Sequence, residues 1–153
     1  MQGSIKMQSG PHFKKERIIT MTDPKALVLA YHNAFHRGDK TTVRGMLADK
    51  GAFIGPLNSF TEADAFLSGA AIFMQLSKKA EIKKVIAEGD DVCVFYDYTT
   101  IVPSIPVLPI ASWFKVESGK IKFFHTHFNP MPFVAAKERG DVAKALQSES
   151  QRA

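Results

Sequence analysis

The sequence predicts an α+β domain in which three N-terminal helices pack on a curved antiparallel sheet. Three observations carry this reading. Residues 23–76 place apolar side chains at helical spacing behind recognisable caps. Residues 81–128 are instead runs of β-branched and aromatic residues punctuated by Gly, Asp and Pro. Within them, the runs 111–116 and 121–128 flank Glu117-Ser118-Gly119-Lys120, a glycine-containing gap of hairpin length. Helices followed by antiparallel strands form the α+β pattern, and three helices on one concave sheet leave a cone-shaped hollow.

Asp23-Pro24 opens the first helix, with Asp as the cap and Pro at the first helical position. Leu27, Ala30, Tyr31, Ala34 and Phe35 then make one apolar stripe. Gly38 stops this helix, and Asp39 caps a short second one carrying Val43, Met46 and Leu47. Residues 51–57 form a brief strand ended by Gly55-Pro56. Thr61-Glu62-Ala63-Asp64 is read as a capping box with Asp in place of Glu, opening a third helix that runs to about Leu76. Its apolar residues between Phe66 and Met74 cover more than one face, so it is expected to be largely buried. Strands follow over residues 81–88, 92–102 and 107–117, with Pro103, Pro106 and Pro109 making the last connection irregular. Beyond Pro130 and Pro132, residues 133–146 read as a terminal helix weakened at Gly140. Residues 1–20 read as a flexible leader, 21–147 as the domain and 148–153 as a tail.

The 153 residues make one domain, 45% hydrophobic and 23% charged, the balance of an ordinary soluble globule. The formal charge of +5 is mostly a property of the leader, where four basic residues face one acidic residue. The remaining chain has 16 Lys and Arg against 14 Asp and Glu, and no basic stripe runs along any element. Nucleic acid is therefore not an expected partner. Cys93 is the only cysteine, which excludes an intrachain disulfide and suits a reducing cytoplasm. No apolar run is long enough to span a membrane, and no signal-peptide core precedes the domain. The expected location is cytoplasmic.

Neither strand of the hairpin has a polar face. Trp113 and Phe114 are neighbours and point to opposite sides of the sheet, as do Phe123 and Phe124. One side can be covered by the chain's own helices. The other, bearing Phe95, Trp113, Ile121 and Phe123, is expected to meet a second copy in a homodimer.

These features resemble the NTF2-like superfamily in its SnoaL-like branch. The resemblance spans residues 23–133. It rests on the first helix ending in Gly38-Asp39, on the run from Trp113 through Lys120 to Ile121, and on the closing Phe128-Asn129-Pro130. The superfamily contains ketosteroid isomerases, polyketide cyclases, limonene epoxide hydrolases, scytalone dehydratases and non-catalytic transport or assembly domains. Tyr31, seven residues before Gly38, stands where the isomerases carry an oxyanion-donating tyrosine. Their catalytic Asp precedes a Pro after the first strand, where this chain has Gly55-Pro56. Thr126 occupies the carboxylate position of the cyclases and epoxide hydrolases, and Tyr96 and Tyr98 align with the hydrolases' Arg and Asp. None of these three chemistries has its full set.

The resemblance makes the pocket side of the sheet the one carrying Tyr96, Tyr98, Thr100, Ser112, Phe114, Phe124, Thr126 and Phe128, joined by Tyr31. This lining is aromatic, with hydroxyl donors and no base that titrates near neutrality. It suits a small apolar or aromatic molecule. The alternative on the same side is a filled core whose hydroxyls satisfy one another.

On the opposite face, His125 and His127 alternate beside Asp97 and Trp113. That spacing serves acid–base pairs and metal sites, and equally a dimer seam in which Asp97 pairs with a His. The enzyme alternative is an isomerase, cyclase or dehydratase with Asp97 and His127 as the acid–base pair, His125 as a further candidate beside them, and Tyr31 as the donor. A third alternative is a non-catalytic assembly domain docking through the Trp113 face. His32 and His36, four apart on the first helix, lack the Glu of a zinc-protease motif and read as an exposed or half-buried pair. No metal or cofactor is expected.

Overall fold

A computed structural model describes residues 23–152, so the expectation for residues 1–20 lies outside the described residues. Five helices and six strands follow in order: α1 (Pro24–Arg37), α2 (Lys40–Met46), β1 (Leu47–Ile54), β2 (Ser59–Glu62), α3 (Ala63–Leu76), β3 (Ser77–Glu88), β4 (Asp91–Thr100), β5 (Leu108–Glu117), β6 (Lys120–His127), α4 (Met131–Glu138) and α5 (Asp141–Arg152). The strands form one sheet ordered β2-β1-β6-β5-β4-β3. All neighbours are antiparallel except β1 beside β6, so the sheet is mixed rather than wholly antiparallel. Register shifts interrupt β1, β3 and the β5–β6 pair. Such bulges sharpen local twist and let a sheet curl around what packs on it.

The helix boundaries follow from their end groups. The Asp23 carboxylate accepts from the Ala26 N–H at 3.1 Å and the Asp39 carboxylate from the Thr42 N–H at 3.1 Å, satisfying donors that a helix start leaves free. Gly38 ends α1 at φ 80°, the left-handed conformation that costs glycine least. The expected capping box of α3 does not form. Thr61 and Glu62 are consumed by β2, and no side chain caps the helix. β2 itself was not expected, because Ser59-Phe60-Thr61-Glu62 is too short to show alternation.

The buried stripe of α1 is rotated from the expected one. Val28, Tyr31, His32 and Ala34 are buried while Ala30 faces solvent. The terminal helix divides at Gly140, φ 82°, into α4 and α5, and α5 runs to Arg152 through the stretch read as a tail. At the hairpin tip, Ser118 and Gly119 both take positive φ, 52° and 74°, as the twist of a two-residue turn demands.

One core cluster lies between the sheet and helices α1–α3, around Phe53, Phe66, Phe114 and Phe124. A second, around Leu76, Tyr98, Ile110 and Phe133, is closed by α4 and α5. Ile121 belongs to the first cluster and is fully buried, which corrects its assignment to the outer face. The register shift between Lys115 and Val116 sets Ile121 opposite the buried Val116, on the same side as Phe124 three residues later. Beyond the bulge ordinary alternation resumes, so His125 and His127 stay outside. Among the described residues no helix is long and apolar enough to cross a membrane.

In the parallel β1–β6 contact, Gly51 lies close against the Lys122 backbone. A Cβ on Gly51 would overlap the Lys122 carbonyl oxygen, and backbone cannot yield as a side-chain tip can. Gly51→Ala is expected to lower stability by about 3 kcal/mol, read as a shift in the urea midpoint at unchanged m-value.

Candidate functional site

The hollow between helices and sheet is a cavity of about 130 Å³. Alternation on three adjacent strands supplies its floor: Tyr96 and Tyr98 from β4, Ser112 and Phe114 from β5, Phe124 and Thr126 from β6, with Phe128 just beyond. Tyr31 closes over them from α1, its ring edge-on to Phe114 at 5.6 Å between centroids. All eight residues that the sequence assigned to a ligand site therefore line one cavity. Thr100, grouped with them by alternation, is buried outside it, its hydroxyl bonded to the Val102 backbone at 3.0 and 3.3 Å. Gly55 and Pro56 also line the cavity, so the position where isomerases carry a catalytic Asp brings no carboxylate. With Leu57 and Asn58 they complete the turn between β1 and β2; Pro56, Leu57 and Asn58 are exposed and form the rim.

Of the α1 histidines, read as an exposed or half-buried pair, His36 is half-buried as expected and His32 is buried. His32 and His36 both line the cavity, and His32 is only 5% exposed. The rings lie 4.6 Å apart, and Tyr96 packs edge-on against both, at 4.6 and 5.4 Å. Val28, Tyr31, His32, Phe35 and His36 form a stripe with the same i, i+3, i+4, i+7, i+8 spacing as the one chosen, displaced by one residue. Hydropathy favoured the stripe with Ala30 because it counts His as polar. The signal available was His-x-x-x-His in register with Tyr31.

Polar groups in and beside the cavity are partly committed to one another. Ser112 and Thr126 share a hydrogen bond of 2.9 Å across β5 and β6, and the Tyr98 hydroxyl donates to the Phe73 carbonyl at 2.8 Å. His36 Nδ1 bonds the Ser77 hydroxyl at 2.8 Å. His32 Nε2 is buried without a partner. Burial pushes the Tyr31 hydroxyl well above the usual phenol range, with the neighbouring Tyr96 adding to the effect. Tyr96 and Tyr98 are raised chiefly by burial too. All three are hydrogen-bond donors at neutral pH. Desolvation lowers His32 to about 4. Desolvation and then the adjacent His32 lower His36 to about 3. The two imidazoles are thus neutral, and the cavity carries no net charge at pH 7.

Asp97, His125 and His127 are not brought to this cavity. Alternation puts them on the convex face, where the two histidine rings lie 3.9 Å apart, tilted by 35°, and Asp97 lies 3.7 Å from the Lys83 ammonium. Trp113 lies there too, opposite His125, packed against Phe123 at 4.9 Å and donating to Asp91 at 2.7 Å. Cys93 stands opposite Trp113, partly buried, its thiol raised by desolvation and by Asp91, which disfavours the thiolate.

The buried imidazoles tie stability to pH. Their pKa values fall from 6.5 in the unfolded chain to about 4 and about 3, so between these limits the unfolded chain binds more protons. Stability is complete above pH 6.5 and declines as pH falls to about 3, His32 accounting for up to about 3 kcal/mol by about pH 4. Urea midpoints between pH 7 and 4 check this, and ring NMR signals of His32 and His36 should still report neutral imidazole at pH 5.

Comparison with known proteins agrees with this architecture. The SnoaL-like domain family matches residues 28–124, more than half of the chain. No curated protein sequence matches it. Among solved structures, a protein from Kribbella flavida superposes with a TM-score of 0.69 at 24% identity, covering 75% of this chain and 93% of the other. An NTF2-like protein of unknown function from Cytophaga hutchinsonii gives 0.63 at 22% identity, covering 72% and 94%. A steroid delta-isomerase from Pseudomonas aeruginosa gives 0.61 at 13% identity, covering 84% and 92%. At such identities the structures share a fold, and a fold hosts many chemistries. The aromatic cone, its sheet order and the matched residues lead to one assignment: the chain belongs to the SnoaL-like domain family, on an NTF2-like fold.

Proposed function

We propose that this SnoaL-like domain binds a small, largely apolar or aromatic molecule in the cone. The observation that carries the reading is a cavity of about 130 Å³ walled by phenylalanine and tyrosine rings, with a few hydroxyls and imidazoles at fixed points. An apolar cavity of ~150 Å³ suffices for benzene, so a space of this volume suits one ring. A larger polyketide-like or steroid-like ligand would project past the rim at Pro56 and Leu57. Rings that line a cavity without filling it leave dispersion contacts unmade, and a flat ligand supplies them.

The test is a panel of single-ring compounds against the full chain. At a hundred times Kd a ligand adds about 2.7 kcal/mol, which raises Tm by roughly 5–10 °C for a domain of this size. Ala70→Leu, which places extra bulk in the cavity wall, should abolish the shift while leaving the unliganded Tm within a few degrees. A panel with no shift at millimolar concentrations would count against a binding function.

We also propose that the convex face is covered by a second copy of the chain. Phe95 and Trp113 are each 39% exposed there and Ile86 51%, a patch that monomers seldom leave wet. The patch mixes Asp91 and Asp97 with Lys83 and Lys115, so it is complementary to itself rather than to a partner of one charge sign. Sedimentation at micromolar concentration should give a dimer. Trp113→Glu should give a monomer or an insoluble chain, and Tyr31→Phe should leave association unchanged. A monomeric unmutated protein would end the dimer reading.

A further inference from the structure

Near its middle, α3 carries a glycine that no backbone conformation requires. Gly69 is the seventh of the fourteen residues of this helix, where glycine is less favourable than alanine. What the position requires is space. A Cβ there would lie 2.5 Å from the tip of the Phe60 ring, and 3.1 and 3.2 Å from the two ring carbons beside the tip. The Phe60 ring therefore points end-on at the α3 backbone. Phe60 stands on β2, the edge strand of the sheet, so its side chain bridges from that edge to the helix. Both residues line the cavity and both are half-buried, so their contact has the cavity on one side and solvent on the other. It differs from the contact at Gly51, where a Cβ would meet backbone. Here it would meet a side-chain tip, which can move.

We propose that Phe60, seated on Gly69, is the specificity-determining residue of the cavity, holding the bound molecule to one ring where a fused two-ring molecule would otherwise fit. This rests on the reading of the cavity as a ligand site. The other phenylalanines of the wall are poor candidates for this role. Phe53, Phe66, Phe114 and Phe124 are buried and pack on one another at 4.9–5.8 Å between centroids, so shifting any of them disrupts the core. Phe60 meets Phe66 edge-on at 6.2 Å and has solvent beside it, so it can be removed or displaced at less cost. The space it occupies is itself that of one ring. Taking the ring away adds that space to a cavity of about 130 Å³, which now suits a single ring. With Phe60 in place, the second ring of a fused pair is left in water at the rim and gains little.

Toluene and naphthalene are suitable probes, since both are neutral hydrocarbons and they differ by the second ring. With the full chain at pH 7, naphthalene should bind no more tightly than toluene. Phe60→Ala should bind naphthalene about tenfold more tightly than toluene, the transfer gain of the added ring surface. Gly69→Ala tests the same contact without truncating a side chain, and it replaces a weak helix former with a strong one. Its Cβ drives the Phe60 tip into the cavity, so toluene should weaken by about tenfold. Adding Phe60→Ala to Gly69→Ala should restore toluene binding, a coupling that two independent structural effects would not produce. A naphthalene-to-toluene ratio unchanged by Phe60→Ala, or a toluene affinity unchanged by Gly69→Ala, would overturn the inference and leave the cavity reading standing. Where Phe60→Ala does not fold, the Gly69→Ala result decides. Failure of both probes to bind the unmutated chain would overturn both readings.

Discussion

Phe124 is the point on which the layers of this domain converge. Its ring lies 4.9 Å from Phe66 of α3, 5.2 Å from Phe53 of β1, 5.7 Å from Phe114 of β5 and 6.1 Å from Tyr31 of α1. One side chain on β6 thereby joins two helices to three strands. Aromatic side chains bring large buried area, and tilted and edge-on pairs add to it. They are also stiff plates, so a cone walled with them does not collapse as an aliphatic core would. The cavity is a consequence of packing rings around a curved sheet.

Curvature in turn depends on where the strands depart from regular pairing. Register shifts in β1, in β3 and at the β5–β6 tip bend the sheet toward the helices. The tip shift has a second effect, rotating Ile121 into the core while leaving Phe123, His125 and His127 outside. The two faces of β6 therefore have distinct duties: one completes the cone, the other joins Trp113 in an outward patch.

Inside the cone the polar groups form two populations. Those of Ser112, Thr126, Tyr98 and Ser77 are spent within the protein and hold strands and helix ends together. His32 Nε2 is not spent. Burying both α1 histidines in neutral form lets a helix face that reads as half polar lie against an aromatic floor, at the cost of stability in acid.

Local chemistry was enough for much of this to be legible in the sequence. Asp23-Pro24, Gly38-Asp39, Ser118-Gly119 and Gly140 mark their boundaries through backbone preferences and end groups acting within a few residues. Period-2 alternation on β4, β5 and β6 sorted Tyr96, Tyr98, Ser112, Phe114, Phe124 and Thr126 to one face, because side chains on a regular strand have no other choice. What remained undecided needed a partner element. β2 exists only by pairing with β1, and it takes the residues that would have capped α3. The bulge that buries Ile121 is a property of two strands together. The face of α1 that turns inward was open between two stripes one residue apart, and the floor decided it. Tyr96 offers a ring edge to His32 and His36, so two residues that hydropathy assigns to solvent became part of the wall.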